Sequence, residues 1–414
     1  MGGPEVVVSK WRAAIDEPAA ITHRNPAILI GVDCLQGLQS ARVLADRNIP
    51  VIGVAKDPKH YACQSRACGE VLITDTGGDR LVDTLVEMGP RFSAKPVLFP
   101  CQDKNVIVVS RNRSVLAEWY HVVLPPKDVV ELLMDKAAFY AYAQASGFPL
   151  TPSHILRDRE DAERAGAALA YPAILKPSLR LREWSKHTKE KAFIVSDAEE
   201  LLRQYERLSP WAEVLIAQEL IQGPDTNHFT CNAYFGEAGE PLVVFTTQKL
   251  RQWPPRTGQA CLSQEAKDDV VVRETVRLFR SVDYRGLAYL EMKKDQRSGH
   301  YYIVEPNIGR PTGRAATAEA AGVELLYTMY CDALGIPLPS AREQQYLGVK
   351  WMNVMRDTEA ALYHVMRREL SLRDWWRSVR GPRAYAILSW RDPLPFLTAI
   401  YRSIPEVLTA RRRR

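Results

Sequence analysis

Short apolar runs alternate with a helical pattern in the first third of the chain. Residues 27–32 and 51–54 are apolar runs that flank a segment with apolar positions at helical spacing, which predicts a βαβ unit and a parallel sheet. Residues 97–100 repeat the pattern of an apolar strand followed by a polar loop. Open α/β sheets bind ligands beyond the carboxyl ends of their strands. Asp33 and Asp103, which follow two of these strands, are therefore candidates for holding a small substrate, and the alternative is that each caps a helix.

The middle of the chain contains a strand that carries a single lysine. Residues 171–177 are a short apolar run with Lys176 near its end, and a phosphate would satisfy the charge of that lysine. Residues 183–191 are polar and rich in lysine, which is typical of a mobile cover over an anion, with a solvated loop as the alternative. Residues 214–223 read as a strand whose backbone and apolar side chains suit a planar base.

Two pairs of antiparallel strands are predicted after residue 228. Residues 229–235 and 242–247 flank a glycine-containing turn, and we expect the basic segment 249–258 behind them to be a loop. Residues 287–295 and 301–304 flank a second polar turn, which predicts a β-hairpin.

Three oxygen-bearing side chains lie on this hairpin. Glu305 and Asn307 are two residues apart and share a face, and one register places Glu291 directly opposite Glu305. Two such carboxylates repel unless a cation lies between them. An all-oxygen set of this kind suits Mg²⁺, which fills its other positions with water and substrate phosphates, so the hairpin predicts a metal–nucleotide site. The alternative is an ordinary surface hairpin with solvated acids.

Composition limits the class of protein. The 414 residues suffice for two to four compact units, and the 46% hydrophobic and 25% charged content is that of a globular protein. The sequence shows no apolar stretch of membrane-spanning length and no secretory signal, so we expect a cytoplasmic location. The seven cysteines are scattered without a CxxC pair, which favours reduced thiols over a zinc site.

The net charge of +6 owes much to the terminal run Arg411 to Arg414. A frayed tail is one interpretation of this run, and weak attraction to an anionic membrane surface is the other. Nothing in the sequence indicates a specific nucleic-acid partner.

Together these motifs resemble the ATP-grasp superfamily, specifically its carboxylate–amine ligases, over roughly residues 25–345. The resemblance rests on the strand around Lys176, the run that begins Gln218-Glu219, the acid Glu291, the Glu305-Pro-Asn307 segment, and residues 320–323. It implies a parallel-sheet α/β domain, then a two-lobed α+β ATP-grasp fold and a mostly helical C-terminal extension. The implied boundaries are an N-terminal segment at 1–24, the α/β domain at 25–135, the small lobe at 136–225, the large lobe at 226–345 and the extension at 346–414.

The resemblance also implies roles for individual residues. Lys176 and a lysine of the cover, Lys191, would bind the α- and β-phosphates of ATP, and Glu291, Glu305 and Asn307 would hold Mg²⁺, with Mn²⁺ as an alternative ion. The residues implied to bind adenine and ribose are Gln218, Glu219, Leu220 and Ile221.

The chain departs from the superfamily at two places. Relatives commonly have Asn-Pro-Arg after the metal-binding acid, whereas here the arginine comes one residue later, as Arg310, with Arg314 as a rival. The cover lacks the usual glycine-rich loop, which leaves the choice among lysines 186, 189 and 191 open.

The implied chemistry is the activation of a carboxylate as an acyl phosphate by ATP and its attack by an amine, with small-molecule acid and amine substrates. Arg251, Arg310 and Lys249 are candidates for orienting the acid or stabilising an oxyanion. For Arg251 the alternative is a surface arginine stacked on Trp253, and for His228 it is a structural role. Activation of bicarbonate, a non-amine nucleophile and a non-catalytic ATP-binding protein remain open. So does the role of the extension, which could close over the acceptor site, cap a homodimer or approach a membrane.

Overall fold

Five strands form the first sheet, in the order β1-β4-β3-β2-β5. The structure is a computed structural model that describes residues 5–7, 25–179, 182–188, 190–255 and 258–411, without the side chains of 5–7, 182 and 404–411. The strands are β1 Glu5–Val7, β2 Ala27–Ile30, β3 Val51–Ala55, β4 Glu70–Ile73 and β5 Val97–Pro100. Strands β2 to β5 are parallel to one another, and β1 is antiparallel to β4. The helices are α1 Leu35–Ala45, α2 Asp79–Met88, α3 Asp103–Arg111, α4 Arg113–Leu116, α5 Lys127–Met134 and α6 Lys136–Ala145. The predicted βαβ unit and parallel sheet are confirmed.

The second sheet is antiparallel and has four strands in the order β6-β9-β7-β8. Its strands are β6 Ser153–Leu156, β7 Ala173–Pro177, β8 Phe193–Val195 and β9 Leu215–Glu219, and its helices are α7 Arg159–Ala168, α8 Arg182–His187 and α9 Ala198–Leu208. This small lobe packs around its own core, which contains the fully buried Leu175 and Trp184.

The third sheet has seven strands in the order β14-β13-β10-β11-β12-β15-β16. The strands are β10 His228–Phe235, β11 Pro241–Trp253, β12 Gln259–Glu265, β13 Gly286–Lys294, β14 Tyr301–Ile308, β15 Lys350–Met352 and β16 Arg383–Tyr385. The helices are α10 Asp269–Arg280, α11 Ala315–Ala320, α12 Leu325–Leu334, α13 Val354–Met366, α14 Leu372–Val379 and α15 Leu394–Arg411. Four short 3₁₀ helices complete the described elements, at Tyr61–Gln64, Gly89–Arg91, Ser209–Trp211 and Asp225–Asn227.

The C-terminal extension is joined to the large lobe by its strands as well as by its helices. β15 pairs with β12 and β16 pairs with β15, so residues after 345 complete the third sheet. The first and third sheets also share one core, in which Leu98 of β5 is clustered with Leu290 of β13. The exact domain boundaries stay a prediction.

Several local expectations are wrong. Strand β11 continues through Trp253, so Lys249 and Arg251 lie on a strand and not on a loop. The polar segment before β8 contains helix α8, whose Trp184 is buried and donates to the carbonyl of Glu190 at 2.9 Å.

The two aspartates after β2 and β5 are not helix caps. Cys34 caps α1, and Gln102 caps α3 through a capping box. Asp33 instead accepts backbone N–H groups of Lys56 and Asp57 through Oδ2, at 3.0 and 2.9 Å.

Within the described ranges, the seven cysteines are free, no cluster of three or more His, Cys, Asp and Glu residues could hold a metal, and no helix is both long and apolar enough for a membrane span. Lys189, Arg256 and the arginines at 412–414 lie outside the described residues.

Candidate active site

The residues predicted to bind nucleotide or metal or to act in catalysis line one cleft of about 1810 Å³, to which the second and third sheets and helix α3 contribute. They are Lys176, Lys191, Gln218, Glu219, Leu220, Ile221, Lys249, Arg251, Glu291, Glu305, Asn307 and Arg310. The roles given to them remain predictions, but the structure brings together groups that are up to 134 positions apart in the sequence, from 176 to 310. Asp103 also lines this cleft, whereas Asp33 is not among its lining residues.

The hairpin of β13 and β14 has the predicted register. Glu291 is paired directly with Glu305 across the two strands, and a register shift follows between Glu291 and Met292. Glu305 and Asn307 both line the cleft, as their spacing of two residues requires. The two carboxylates therefore lie side by side at the cleft surface.

Glu291 is held by two nitrogen donors. His228 Nε2 lies 3.0 Å from Glu291 Oε2, and the Arg314 guanidinium donates to Oε1 at 3.2 Å. Burial raises the pKa of Glu291, but the hydrogen bond with His228 and the nearby positive charges outweigh it and hold the pKa well below its usual range. Glu291 is therefore an anion in the folded protein.

Glu305 and Asn307 complete the oxygen-rich surface. The only cation within ion-pair distance of Glu305 among the described residues is Lys136, at 4.0 Å, and the Glu305 side chain is 37% exposed. Asn307 accepts from Arg310 through Oδ1 at 2.9 Å, whereas its Nδ2 is buried without a partner in the described part of the chain. Two carboxylates and one amide oxygen fit Mg²⁺, which binds few protein oxygens and keeps sites for water and phosphates.

The shifted arginine reaches the site because of the residue before it. Gly309 has φ +66°, and a Cβ there would lie 2.5 Å from Leu124 Cδ2 and 2.8 Å from Val106 Cγ1. This left-handed turn leads to Arg310, which contacts Asn307, Asp103 and the face of Tyr289. The extra residue relative to Asn-Pro-Arg is thus absorbed by a glycine turn. The rival Arg314 contacts Glu291 instead.

Lys176 lies opposite the hairpin, on β7 of the small lobe. Its ammonium donates to the Tyr140 hydroxyl at 2.7 Å and to Gln218 Oε1 at 2.9 Å, and burial lowers its pKa to about 8. The same tyrosine hydroxyl donates to the carbonyl of Val304 at 3.2 Å, next to Glu305 in the sequence. One hydroxyl therefore bridges the small-lobe lysine and the acidic hairpin. No anionic partner lies within ion-pair distance of Lys176 among the described residues.

The segment after β9 has one free backbone donor of the kind that a planar base requires. Glu219 accepts the N–H of Ala170 through Oε1 at 2.9 Å, and Ile221 accepts from Lys293 Nζ at 2.9 Å through its carbonyl. The N–H of Ile221 has no hydrogen-bond partner in the part of the chain that the structure describes. Lys191, which follows α8, is exposed at the cleft, whereas Lys186 is paired with Glu183 at 2.6 Å.

Lys249 belongs to a chain of polar contacts that ends at Glu291. It donates to His228 Nδ1 at 3.0 Å and to Gln252 Oε1 at 3.1 Å. Because an ammonium cannot accept, Nδ1 of His228 is the acceptor and Nε2–H donates to Glu291. Burial, assisted by Lys249, lowers the pKa of His228 to about 4, and burial lowers the pKa of Lys249 to about 8. His228 is therefore a neutral link between a cleft lysine and the predicted metal-binding acid.

Arg251 has a partner that the sequence did not reveal. Its Nε and NH2 groups donate to the two carboxylate oxygens of Asp357 at 2.8 and 3.2 Å, and both side chains are buried. The alternative of a surface arginine on Trp253 is wrong, because Arg251 is 7% exposed and Trp253 packs against Tyr363. The acid-binding role of Arg251 stays a prediction, and its contacts favour joining β11 to the extension.

Sequence reasoning missed two kinds of cleft residue. Lys136 is the first residue of helix α6 and lies beside Glu305. A lysine in the first turn of a helix is unfavourable to the helix dipole, and this unusual position could have indicated a functional role for Lys136. Residues of the extension also line the cleft, including Tyr363 and Arg367, and no local signal indicated them.

Comparison with known proteins found relatives in sequence and solved structures of similar fold. No family model matches the chain. It is 25% identical to the D-aspartate ligase of Enterococcus faecium over 233 residues, which is 52% of this chain and 53% of that protein. It is 26% identical to the D-alanine–D-alanine ligase of Stutzerimonas stutzeri over 184 residues, 42% of this chain and 55% of that protein. The chain spans about half the length of these curated relatives.

A solved structure of similar fold is the biotin carboxylase domain of the 2-oxoglutarate carboxylase of Hydrogenobacter thermophilus, a dimer in complex with MgADP, ADP and bicarbonate. The TM-score is 0.60 at 17% identity, covering 77% of this chain and 71% of that chain.

Proposed function

We propose that this chain, an ATP-grasp protein related to carboxylate–amine ligases, is an ATP-dependent ligase that couples a carboxylic acid to an amine and releases ADP and phosphate. The observation that carries the proposal is the Tyr140 bridge, which joins Lys176 of the small lobe to the strand of Glu305 within one cleft. A triphosphate between the lobes would meet cations on one side and metal-binding acids on the other.

The residues of the chain fit the first chemical step. A carboxylate oxygen of the acid attacks the γ-phosphorus of ATP, the bond to the β-phosphate oxygen breaks, and ADP leaves with an acyl phosphate formed. Lys176, Lys191 and Lys136 would neutralise the phosphates, and positioning with electrostatic stabilisation carries most of the catalysis. Bound Mg²⁺, held by Glu291, Glu305 and Asn307, would offset charge on the transferring group.

The second step needs charge stabilisation at the acyl carbon. The amine attacks the carbonyl, the tetrahedral oxyanion collapses, and phosphate leaves as the amine loses a proton. Lys249 and Arg310 are two of the cleft cations beside the acidic hairpin, and we assign them to the acid and its oxyanion. Lys249 has only neutral acceptors within hydrogen-bond distance among the described residues, which leaves its charge available to substrate.

Phosphate release from ATP and Mg²⁺ in the presence of pooled amino acids and small acids tests this proposal. D-Aspartate and D-alanine are the first probes, because the curated relatives are ligases of these amino acids. Release that depends on an acid and an amine together is the expected result. Tight ATP binding without release under any pool would instead support a non-catalytic ATP-binding protein. A cytoplasmic location, a homodimer and membrane attraction through the terminal arginines stay predictions from sequence.

A further inference from the structure

The C-terminal extension forms one wall of the cleft. Tyr363 and His364 lie near the end of α13, and Arg367, Glu369 and Leu370 follow in the connection to α14. The buried pair of Arg251 and Asp357 fixes this wall to β11, and Trp375 Nε1 of α14 donates to the same aspartate at 3.1 Å. The wall is therefore held rigidly to the strand that carries Lys249.

Arg367 on this wall is contacted by Glu369 and Tyr363, and part of its guanidinium remains without a partner among the described residues. Its Nε donates to Glu369 Oε1 at 3.1 Å, and its guanidinium carbon lies 5.3 Å from the ring centroid of Tyr363. Glu369 is held in turn by His364 Nδ1 at 2.7 Å. The two terminal amino groups of Arg367 have no hydrogen-bond partner within the described residues. A pre-oriented guanidinium with two free donors matches the geometry of a carboxylate.

The wall lies farther along β11 than the lysine next to the predicted metal site. Strand β11 runs from Lys249, beside the His228–Glu291 pair, to Trp253, whose ring lies 5.9 Å from that of Tyr363. Four strand residues span roughly 13 Å, about the length of one small substrate beyond the predicted metal site. A substrate that extends from the metal site to the wall would therefore meet Arg367 with a group beyond its reacting end.

We propose that Arg367 binds a carboxylate on the amine substrate, so that the nucleophile of this ligase is an amino acid and not a simple amine. The inference rests on the proposed function. It makes Arg367 a specificity-determining residue that contributes to amine binding and not to activation of the acid.

The experiment separates the two half-reactions in the full-length protein. Activation of the acid is followed by trapping the acyl phosphate with hydroxylamine, a nucleophile without a carboxylate. Coupling is followed by mass spectrometry with matched amines, alanine against alaninamide and glycine against glycinamide. The variants are Arg367→Ala, Arg367→Lys and the control Arg373→Ala, which removes an exposed arginine of α14 that does not line the cleft.

The wild-type protein should prefer each amino acid over its amide. In Arg367→Ala this preference should fall about ten- to a hundredfold through a higher KM for the amine, as for the loss of a charge-assisted contact, while hydroxamate formation stays within about twofold. Arg367→Lys should recover part of the preference, and Arg373→Ala should behave as wild type.

Three results would overturn the inference. The first is equal coupling of the amino acids and their amides by the wild type, and the second is coupling of neither while hydroxamate still forms. The third is an Arg367→Ala variant that keeps the preference for the amino acid, or that slows hydroxamate formation as much as it slows coupling. Failure of the wild type to form any hydroxamate would contradict the proposed function itself, and the inference with it.

Discussion

Single side chains decide whether the acidic hairpin can hold a metal ion. Glu305 is the acid least committed to protein partners, since its ion pair with Lys136 is long and partly exposed, whereas Glu291 is held by His228 and Arg314. The sequence correctly predicted that these two acids lie opposite each other, because a hairpin with a short turn allows few registers. It could not show their partners, which come from β10 and the segment before α11 for Glu291 and from α6 for Glu305.

Glu305→Gln should reduce ATP turnover by a hundredfold or more, roughly, because it removes a charge from the metal site. The free energy of unfolding should change by less than about 1 kcal/mol, since a long, exposed ion pair contributes little. Turnover by phosphate release and unfolding in urea are the two measurements. Glu237→Gln, whose side chain is 85% exposed, serves as the control. Near-normal turnover in Glu305→Gln would show that the metal assignment is wrong.

Lys176 should make ATP binding depend on pH. Burial lowers its pKa to about 8, so the ammonium that attracts phosphate is lost as pH rises through that value. The affinity of the free protein for ATP should therefore fall about tenfold between pH 7 and 9, as measured by calorimetry. In Lys176→Arg the cation persists and this fall should disappear. An unchanged pH profile in that variant would assign the titration to another group, with Lys249 the first candidate.

Through the same lysine, the free energy of unfolding should change with pH in the opposite direction to the affinity for ATP. Its pKa is lowered in the folded state, so the unfolded chain binds more protons between about pH 8 and the ordinary lysine value. The contribution of Lys176 to the free energy of unfolding should therefore rise with pH across that window and be constant below it. Comparing wild type with Lys176→Met in urea at pH 7 and 9.5 measures this difference.

Gly309 tests the turn that places Arg310. Gly309→Ala should destabilise the protein by about 2–3 kcal/mol, because strain at positive φ adds to a clash with Leu124 and Val106. Gly299→Ala is the matched control, with φ +72° and nothing within 4 Å of the added Cβ, and should cost about 1 kcal/mol. Equal losses in the two variants would contradict the tight packing inferred around Gly309.

At the scale of elements, apolar strands were predictable and polar ones were not. β7 and β13 are marked by runs of buried apolar residues, whereas the second half of β11 is polar because its side chains line a cleft and meet the extension. Tertiary pairing with β10 and β12 keeps that segment extended. The partner of Arg251 lies 106 positions away, and no local pattern could reveal it.

The Arg251–Asp357 pair should contribute strongly to stability at this scale. Asp357→Asn should lower the free energy of unfolding by about 3–5 kcal/mol, because it leaves a buried guanidinium without its counter-ion. Glu199→Gln, which breaks an exposed pair with Arg203, should cost less than about 0.5 kcal/mol. Denaturant unfolding followed by circular dichroism measures both. A small loss in Asp357→Asn would mean that the extension is not anchored through this pair.

At the scale of the whole molecule, two sheets, helix α3 and the extension meet at one cleft. The first and third sheets share a core, whereas the small lobe that carries Lys176 has a core of its own and joins the shared core through Ile216 of β9. The order of the lobes could be predicted from the motifs in the sequence. That the extension could close over the acceptor site was one alternative from sequence, but the residues that line the cleft, 363–370, could not be predicted, because they depend on contacts between distant segments.

The central claim is that an acid is activated in this cleft by transfer of the γ-phosphoryl group of ATP. The most direct measurement supplies pooled acids labelled with ¹⁸O in the carboxylate, together with ATP, Mg²⁺ and pooled amines, and analyses the released phosphate by mass spectrometry. An acyl phosphate keeps one carboxylate oxygen on phosphorus, so the account predicts phosphate carrying a single ¹⁸O. Phosphate without the label would mean that water takes the phosphoryl group and would contradict the account.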